Sequence, residues 1–273
     1  MTLDQAIQIL KDAGVDSPSH DAEELFIRFA GYSRSTFYLM RSVESDSPAL
    51  IEAIERRAKR EPLQYIIGEV GFYRESYRVT PDCLIPRPDT ETLVDYAVKH
   101  IPEGATFLDL CTGSGCVAIS TLKNTKNTTA IAVDISGRAL AVATENAHIN
   151  GVEDRIHFRL ADLTREVIDE PVFAVLSNPP YVTDSAYQSL EKEIYHEPKE
   201  AFVGGDDGGD FYRRLTPIYK EFIAENGFIA YEIGYDQADL LKSIAKDCDM
   251  TCEILKDLSG NDRVAVLRRM AQL

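Results

Sequence analysis

The sequence predicts an α/β protein: a doubly wound sheet preceded by a small all-α bundle. From Ala105 onward, strand-like and helix-like segments alternate, which is typical of parallel strands joined by right-handed crossovers. The first sixty or so residues instead carry apolar residues at helical spacing, as at Leu3, Ala6, Ile7 and Leu10. Two short extended stretches between these regions predict a β-hairpin linker.

Turn and cap residues mark the first boundaries. Ser47-Pro48 is a cap with a first-turn proline, and it predicts a helix over Ala49–Lys59. The hairpin is predicted over Val70–Tyr73 and Tyr77–Thr80, with its turn at Arg74–Ser76. We therefore divide the chain into a helical bundle for substrate recognition (1–68), a hairpin linker (69–83) and an α/β domain (84–273).

Seven apolar segments of the C-terminal region predict strands: Thr106–Leu110, Ala130–Val133, Ile156–Leu160, Val172–Ser177, Gly227–Ile233, Glu253–Lys256 and Arg263–Arg268. Helical patterns follow several of them, among them Ala139–Asn150 and a stretch around Gln237–Lys246. The last two strands are joined by a short polar turn, so we expect them to close the sheet as an antiparallel pair.

Composition limits the class of protein. The chain has 273 residues, of which 44% are hydrophobic and 27% charged, as is usual for soluble globular proteins. No apolar run is long enough to span a bilayer and the chain starts without a basic and apolar leader, so we expect a cytoplasmic protein. The five cysteines lack a CxxC pair, and Cys248 and Cys252 have no third ligand nearby. We therefore expect reduced thiols and no metal.

The formal net charge of −16 bears on the partner. Proteins that gain affinity from phosphates usually present a basic face. One basic run, Arg56-Arg57-Ala58-Lys59-Arg60, has glutamates on both sides, and we interpret it as a solvated helix face. The charge weighs against a nucleic-acid substrate without excluding one. We expect a monomer that binds neither nucleic acid nor membrane.

The most informative motif is Asn178-Pro179-Pro180-Tyr181, which follows a predicted strand at the edge where open α/β sheets bind ligands. An amide or aromatic amine has its lone pair in resonance, and it needs acceptors for both N–H bonds before it attacks. The Asn178 side-chain oxygen and the Pro179 carbonyl can supply that pair, since consecutive prolines leave carbonyls free. Tyr181 can stack on the flat group. The four residues together predict methylation of a planar nitrogen, although Asn-Pro alone would indicate only a stiff turn.

A glycine loop joins the first strand of the sheet to its helix. In Cys111-Thr112-Gly113-Ser114-Gly115 the glycines allow a tight turn and close approach of a ligand, beside a helix N-terminus. Asp134 ends the next strand and is placed to accept from ribose hydroxyls. Asp162 follows the third strand, where an adenine edge would lie. Their alternative interpretations are a helix cap for Asp134 and a solvated loop acid for Asp162.

The glycine loop does not by itself distinguish nicotinamide from S-adenosylmethionine, because Gly113–Ala118 also fits the GxGxxG/A pattern. Hydride transfer needs a group that handles a proton. None of the five histidines lies in a predicted strand-end loop with an evident partner. Methyl transfer instead needs an oriented nucleophile, which the Asn-Pro-Pro-Tyr motif supplies. The sequence therefore predicts a methyltransferase.

The chain resembles, nearly end to end, the bacterial protein-(glutamine-N5) methyltransferases that modify peptide chain release factors, the HemK or PrmC family. The blocks that carry the resemblance are Pro62–Gly68, Leu84–Glu91, Leu108–Leu110 with Thr112–Gly115, Ser177–Val182 and Gly260–Val264. Asn-Pro-Pro-Tyr is shared with adenine-N6 methyltransferases of DNA and RNA. The Ile-Pro-Arg-Pro-Asp-Thr-Glu block before the glycine loop is much more specific to the release-factor enzymes.

The resemblance implies a seven-stranded Rossmann-like domain that uses S-adenosylmethionine to methylate the glutamine of the Gly-Gly-Gln motif in release factors. It implies these cofactor contacts: Cys111, Thr112, Gly113, Ser114, Gly115, Asp134, Asp162, Leu163 and Asn178. It further implies that Asn178, Pro179, Pro180 and Tyr181 bind the substrate, with Asn178, Pro179 and Tyr181 catalytic.

Two positions depart from the family pattern. Cys111 stands where many relatives have glycine, so we expect the turn to avoid a positive φ there. Leu163 stands where some relatives have an aromatic residue, so we expect weaker stacking on the adenine.

Several alternatives stay open at this point. Arg87 and Glu91 either help to close the site or are structural residues of the linker–helix junction. Gly204–Gly209 is either a flexible loop or part of the substrate mouth, and Asn261-Asp262-Arg263 is interpreted as a structural turn. The alternative function is adenine-N6 methylation of DNA or RNA. A non-catalytic binding module is a third, and it predicts that Asn178→Ala leaves function intact.

Overall fold

The computed structural model describes residues 1–39 and 43–270. The chain forms two compact units, Met1–Glu69 with Glu191–His196 (the helical unit), and Val70–Leu190 with Glu197–Leu273 (the sheet unit). The predicted domains, 1–68, 69–83 and 84–273, stay a prediction, because a division by contact does not assign roles. No helix within the described ranges is long and apolar enough to cross a membrane.

The helical unit has the predicted all-α character. Its helices are α1 (Leu3–Asp12), α2 (Pro18–Phe29), α3 (Arg34–Leu39), α4 (Pro48–Ala58) and α5 (Leu63–Ile67). Thr2 and Gln5 form a capping box at the start of α1. Ser47 caps α4 by accepting from the backbone N–H of Leu50, as predicted. The apolar faces of these helices pack into one core.

The linker is the predicted hairpin, with a turn one residue earlier than expected. It consists of β1 (Glu69–Phe72) and β2 (Glu75–Arg78), paired as a two-stranded sheet. The turn is Tyr73–Arg74 rather than Arg74–Ser76. Tyr73 adopts φ +58°, a value that a two-residue hairpin turn can require. The residue type does not predict this, because tyrosine seldom adopts a positive φ.

The sheet unit contains the predicted seven-stranded, mostly parallel sheet. Its strands are β3 (Thr106–Leu110), β4 (Thr129–Asp134), β5 (Ile156–Leu160), β6 (Val172–Ser177), β7 (Ile223–Glu232), β8 (Met250–Lys256) and β9 (Asp262–Arg269). Their order across the sheet is β5-β4-β3-β6-β7-β9-β8. The predicted closing antiparallel pair is confirmed, because β9 runs antiparallel to both β7 and β8.

Helices cover both faces of this sheet. The helices of the sheet unit are α6 (Glu91–His100), α7 (Cys116–Lys123), α8 (Gly137–Asn150), α9 (Asp184–Tyr187), α10 (Asp210–Tyr219) and α11 (Ala238–Asp247). Successive strand residues alternate between two cores: Phe107 packs with the α6 and α7 side, Leu108 with the α10 and α11 side. Helix α10 was not predicted, since it follows a glycine-rich run and contains Pro217.

Candidate active site

The predicted site residues converge at the carboxyl edge of the sheet. Strand β3 runs into the glycine loop, and its last residue, Leu110, pairs with Val133 of β4 on one side and Ser177 of β6 on the other. The loop, Asp134 and Asn178 therefore emerge side by side. This is the central crevice of the sheet, where the strand order reverses and where such folds bind ligands.

The glycine loop has the conformation of a close ligand cradle. Gly113 and Gly115 have φ +55° and +82°. A Cβ on Gly115 would come within 2.8 Å of Ile119 Cδ1 and 3.1 Å of Ala143 Cβ, and the φ of +82° also favours glycine at this position. The expectation that Cys111 avoids a positive φ is wrong, because this residue has φ +61°. The next residue, Thr112, donates its backbone N–H to the Val133 carbonyl over 2.9 Å, and that bond holds the chain in the turn.

Asp109 supports the glycine loop through hydrogen bonds to its side chain, a role that was not predicted from the sequence. Its Oδ2 accepts from the Thr112 hydroxyl over 2.6 Å and from the Ala118 N–H over 3.2 Å. The residue is fully buried, and burial raises its pKa to about 7. The sequence signal for this role is an acidic residue between two leucines inside a predicted strand.

Asp134 lies beside the glycine loop, and Ser136 rather than Asp134 caps α8. Its carboxylate accepts from the N–H groups of Gly113 and Ser136, over 2.8 and 2.9 Å. Burial raises the pKa of Asp134, while these bonds act in the opposite direction. The two bonds fix the carboxylate beside the glycine loop.

Two cavities adjoin this edge. The larger, of about 240 Å³, is lined by the predicted residues Cys111, Gly113, Asp134, Asp162, Leu163 and Asn178. The smaller, of about 30 Å³, brings in Thr112 and Ser114. Gly115 lines neither. The larger cavity also has walls that the sequence reasoning missed: Cys83, Leu84, Ile135, Arg138, Glu200 and Phe211.

Asp162 and Leu163 form one wall of the larger cavity. Asp162 Oδ1 accepts from both the backbone N–H and the hydroxyl of Thr164, over 3.0 and 2.6 Å. These bonds lower the pKa of Asp162, so the acid stays ionised beside the cavity.

The Asn-Pro-Pro-Tyr motif follows β6, and of its predicted acceptor residues Asn178 adjoins both cavities, whereas Pro179 is buried and lines neither. Asn178 and Pro180 line the larger cavity. Asn178 Nδ2 donates to Thr90 Oγ1 over 3.4 Å. Within residues 1–39 and 43–270, no group donates a hydrogen bond to Asn178 Oδ1 or to the Pro179 carbonyl. Tyr181 lines neither cavity, and its hydroxyl donates to Glu232 Oε1 over 3.1 Å.

The glycine-rich segment Gly204–Gly209 packs tightly on this motif and is not a loose loop. The Gly204 N–H donates to the Val182 carbonyl over 2.9 Å. A Cβ on Gly204 would lie 2.3 Å from the Pro180 carbonyl oxygen, and one on Gly208 would lie 2.1 Å from the Tyr181 carbonyl oxygen. Glycine therefore permits direct contact of the two backbones.

Of the two residues left open at the linker, only Arg87 adjoins a cavity. Arg87 lines the smaller cavity and pairs with the buried carboxylate of Glu197, which also accepts from the Ile85 N–H over 2.9 Å. Glu91 accepts from the Tyr73 N–H over 2.7 Å, a structural contact at the start of α6.

The basic run of α4 is not the solvated face that was expected. Arg57 is 6% exposed and pairs with Asp21 over 2.7 Å and with Glu193 over 2.9 Å, all within the helical unit. Arg60 also pairs with Glu193, over 2.6 Å. These partners lie far from α4 in sequence, so the run alone could not reveal them. Across the described parts of the chain, no group of three potential ligands could hold a metal ion.

The fold is that of the S-adenosylmethionine-dependent methyltransferases. Residues 2–68 match the family model described as PrmC N-terminal domain, and residues 89–207 match the methyltransferase small domain. The chain also resembles a solved ribosomal protein L11 methylase from Lactobacillus delbrueckii subsp. bulgaricus, with a TM-score of 0.51 and 20% identity, covering 71% of this chain and 85% of that one. That likeness concerns the fold alone.

Curated relatives define the family. The chain is 37% identical to a release factor glutamine methyltransferase of Caulobacter vibrioides, over 94% of this chain and 91% of that protein. It is 38% identical to one of Thermodesulfovibrio yellowstonii, over 81% of each. The chain belongs to the release factor glutamine methyltransferase family.

Proposed function

We propose that this protein transfers the methyl group of S-adenosylmethionine to the side-chain amide nitrogen (N5) of the glutamine in the Gly-Gly-Gln motif of peptide chain release factors. One observation carries the proposal: Asn178 Oδ1 and the Pro179 carbonyl are two unengaged acceptors at the end of β6. The names of the relatives support the substrate.

The residues at the cavity fit the cofactor. The turn of the glycine loop at Gly113, the fixed carboxylate of Asp134 and the wall at Asp162 and Leu163 would hold it. When bound, S-adenosylmethionine supplies a methyl group activated by its sulfonium. We assign Cys111, Thr112, Gly113 and Ser114 to the same contact surface.

The motif acts by orienting a weak nucleophile. Asn178 Oδ1 and the Pro179 carbonyl accept from the two N–H bonds of the glutamine amide, which holds the nitrogen with its lone pair toward the cavity. Accepting from both N–H bonds also stabilises the positive charge that develops on the nitrogen. Pro180 and Tyr181 hold the Pro179 backbone and the Asn178 side chain in place.

Adenine-N6 methylation would use the same acceptor pair, and the charge distribution disfavours it. Arg57 and Arg60 of the basic run pair with carboxylates of the helical unit, and the whole chain carries −16. We propose that the helical unit recognises the protein substrate. We further propose that the enzyme works as a monomer in the cytoplasm, without binding nucleic acid or membrane.

The test is methyl incorporation from labelled S-adenosylmethionine into a purified release factor, with peptide mass spectrometry to locate the methyl group. One added methyl on the glutamine of Gly-Gly-Gln is the expected result. A release factor whose glutamine is replaced by alanine is the matched control and should stay unlabelled. Methyl found in the adenine of added DNA or RNA, with none in the protein, would show that the enzyme is an adenine-N6 methyltransferase.

A further inference from the structure

Glu197 is a buried acid that the proposed chemistry leaves unused. Its side chain is only 1% exposed, and both of its carboxylate oxygens accept hydrogen bonds. Oε2 accepts from the Ile85 backbone N–H over 2.9 Å, and Oε1 accepts from Arg87 Nη2. Burial raises the pKa of Glu197, while Arg87 and the Ile85 N–H act in the opposite direction. A buried carboxylate with both oxygens engaged in this way fixes the groups that it binds.

The partners of Glu197 lie in a segment that cannot satisfy its own backbone. Ile85 and Arg87 lie outside any helix or strand, because each precedes a proline, Pro86 or Pro88, which disfavours helix. Ile85 is 2% exposed, and a buried N–H is unfavourable unless an acceptor is provided for it. Glu197 is that acceptor, 112 residues further along the chain.

The bonds of Glu197 join two stretches of chain that line the larger cavity. Directly before Ile85, residues 81–84 line that cavity, and Arg87 lines the smaller one. The residues that follow Glu197 and also line the larger cavity are Pro198, Glu200 and Ala201. One carboxylate therefore connects two walls that come from distant parts of the sequence.

The stretch that follows Glu197 returns to the Asn-Pro-Pro-Tyr motif. Val182, the residue after the motif, donates its N–H to the Phe202 carbonyl over 2.8 Å, and its carbonyl accepts from the Gly204 N–H over 2.9 Å. The stretch is thus held at one end by Glu197 and at the other by the backbone beside the motif. Loss of the Glu197 bonds would release the cavity wall and leave the motif in place.

We propose that Glu197 is a positioning residue for the binding of S-adenosylmethionine: it holds together the two chain stretches, 81–84 and 198–201, that line the larger cavity. Glu197 lines neither cavity itself, so it acts through Ile85, Arg87 and the residues that follow it. The inference rests on the proposed function only in assigning the larger cavity to the cofactor. It does not depend on which nitrogen receives the methyl group.

The binding test is Glu197→Gln, which keeps the shape of the side chain. The new amide has one oxygen for two donors, so its NH₂ group must face either the Ile85 N–H or the Arg87 guanidinium. We expect the Kd for S-adenosylmethionine, measured by calorimetry, to rise about 10-fold, because one bond to a charged group is lost. The matched control is Glu170→Gln, at an exposed ion pair with Arg159 in the same unit, which should bind as wild type does. A folded Glu197→Gln protein with the wild-type Kd would overturn the proposal.

Kinetics separates a displaced cavity wall from a general loss of structure. Since the motif end of the stretch stays bonded to Val182, we expect KM for S-adenosylmethionine to rise in Glu197→Gln while kcat at saturating cofactor stays near the wild-type value. Partial unfolding would instead lower kcat and leave KM unchanged, because the remaining folded molecules would be fully active. That second pattern would refute the positioning role.

A measurement without cofactor or substrate tests the contact itself. Glu197→Ala removes the acceptor of the Ile85 N–H, so we expect hydrogen exchange of that amide, followed by NMR, to be faster than in wild type and in the control Glu170→Ala. An unchanged exchange rate would show that Glu197 does not hold this segment. If the wild type binds S-adenosylmethionine but methylates no release factor, the proposed function fails, while calorimetry and hydrogen exchange still test this inference.

Discussion

Asn178 is the residue whose substitution tests the chemistry most directly. Asn178→Asp keeps an acceptor but places a charge against a neutral amide, and Asn178→Ala removes the acceptor. We expect each to lower kcat about 10²- to 10³-fold, as for the loss of one preorganised polar contact. Asn226→Asp, at an exposed position of β7, is the control. Wild-type turnover in both Asn178 variants would favour a binding module over an enzyme.

Asp109 gives the stability of the protein a defined dependence on pH. Its pKa is about 7 in the folded protein against 3.8 for the free side chain, so the folded state binds the proton more tightly. Its contribution to the free energy of unfolding therefore decreases as the pH rises from about 4 to 7. We expect Asp109→Asn, measured by urea unfolding at pH 5 to 8, to show a weaker decrease than wild type. Parallel curves for the two proteins would contradict this.

Among the elements, the glycine-rich segment before α10 packs on the Asn-Pro-Pro-Tyr motif and fixes its position. Gly204→Ala would place a methyl group 2.3 Å from the Pro180 carbonyl oxygen, so one backbone must move. A shift of about 1 Å at the motif is enough to lower kcat by up to about 10²-fold. Gly71→Ala, with open space around the new Cβ, should leave kcat unchanged in the same assay. Equal activity of both variants would show that the motif tolerates the displacement.

The position of the glycine loop follows from residue type, but its backbone conformation does not. The pattern predicted its place between β3 and α7, and the structure agrees. It did not predict φ +61° at Cys111, because the conformation is imposed by the Thr112–Val133 hydrogen bond to the neighbouring strand. Helix α10 was missed for a related reason: Pro217 argues against a helix locally, while burial of Tyr212 and Tyr219 favours it.

For the whole molecule, cofactor binding should raise stability. A ligand at 100 times its Kd stabilises the folded state by about 2.7 kcal/mol. We expect S-adenosylmethionine to raise the Tm of wild type and to have little effect on Asp134→Ala at the same concentration. Asp247→Ala, at an exposed site on α11, should respond like wild type. An equal rise in Tm for Asp134→Ala would exclude that carboxylate from the cofactor site.

The sequence by itself determined the α/β class, the seven strands, the place of the glycine loop and the acceptor motif, because these depend on local periodicity and on residues adjacent in the chain. Only the tertiary structure decided that Arg57 is buried against Asp21 and Glu193, and that the Tyr181 hydroxyl donates to the buried Glu232. Burial and charge compensation depend on partners tens to more than a hundred residues away. No local pattern encodes them.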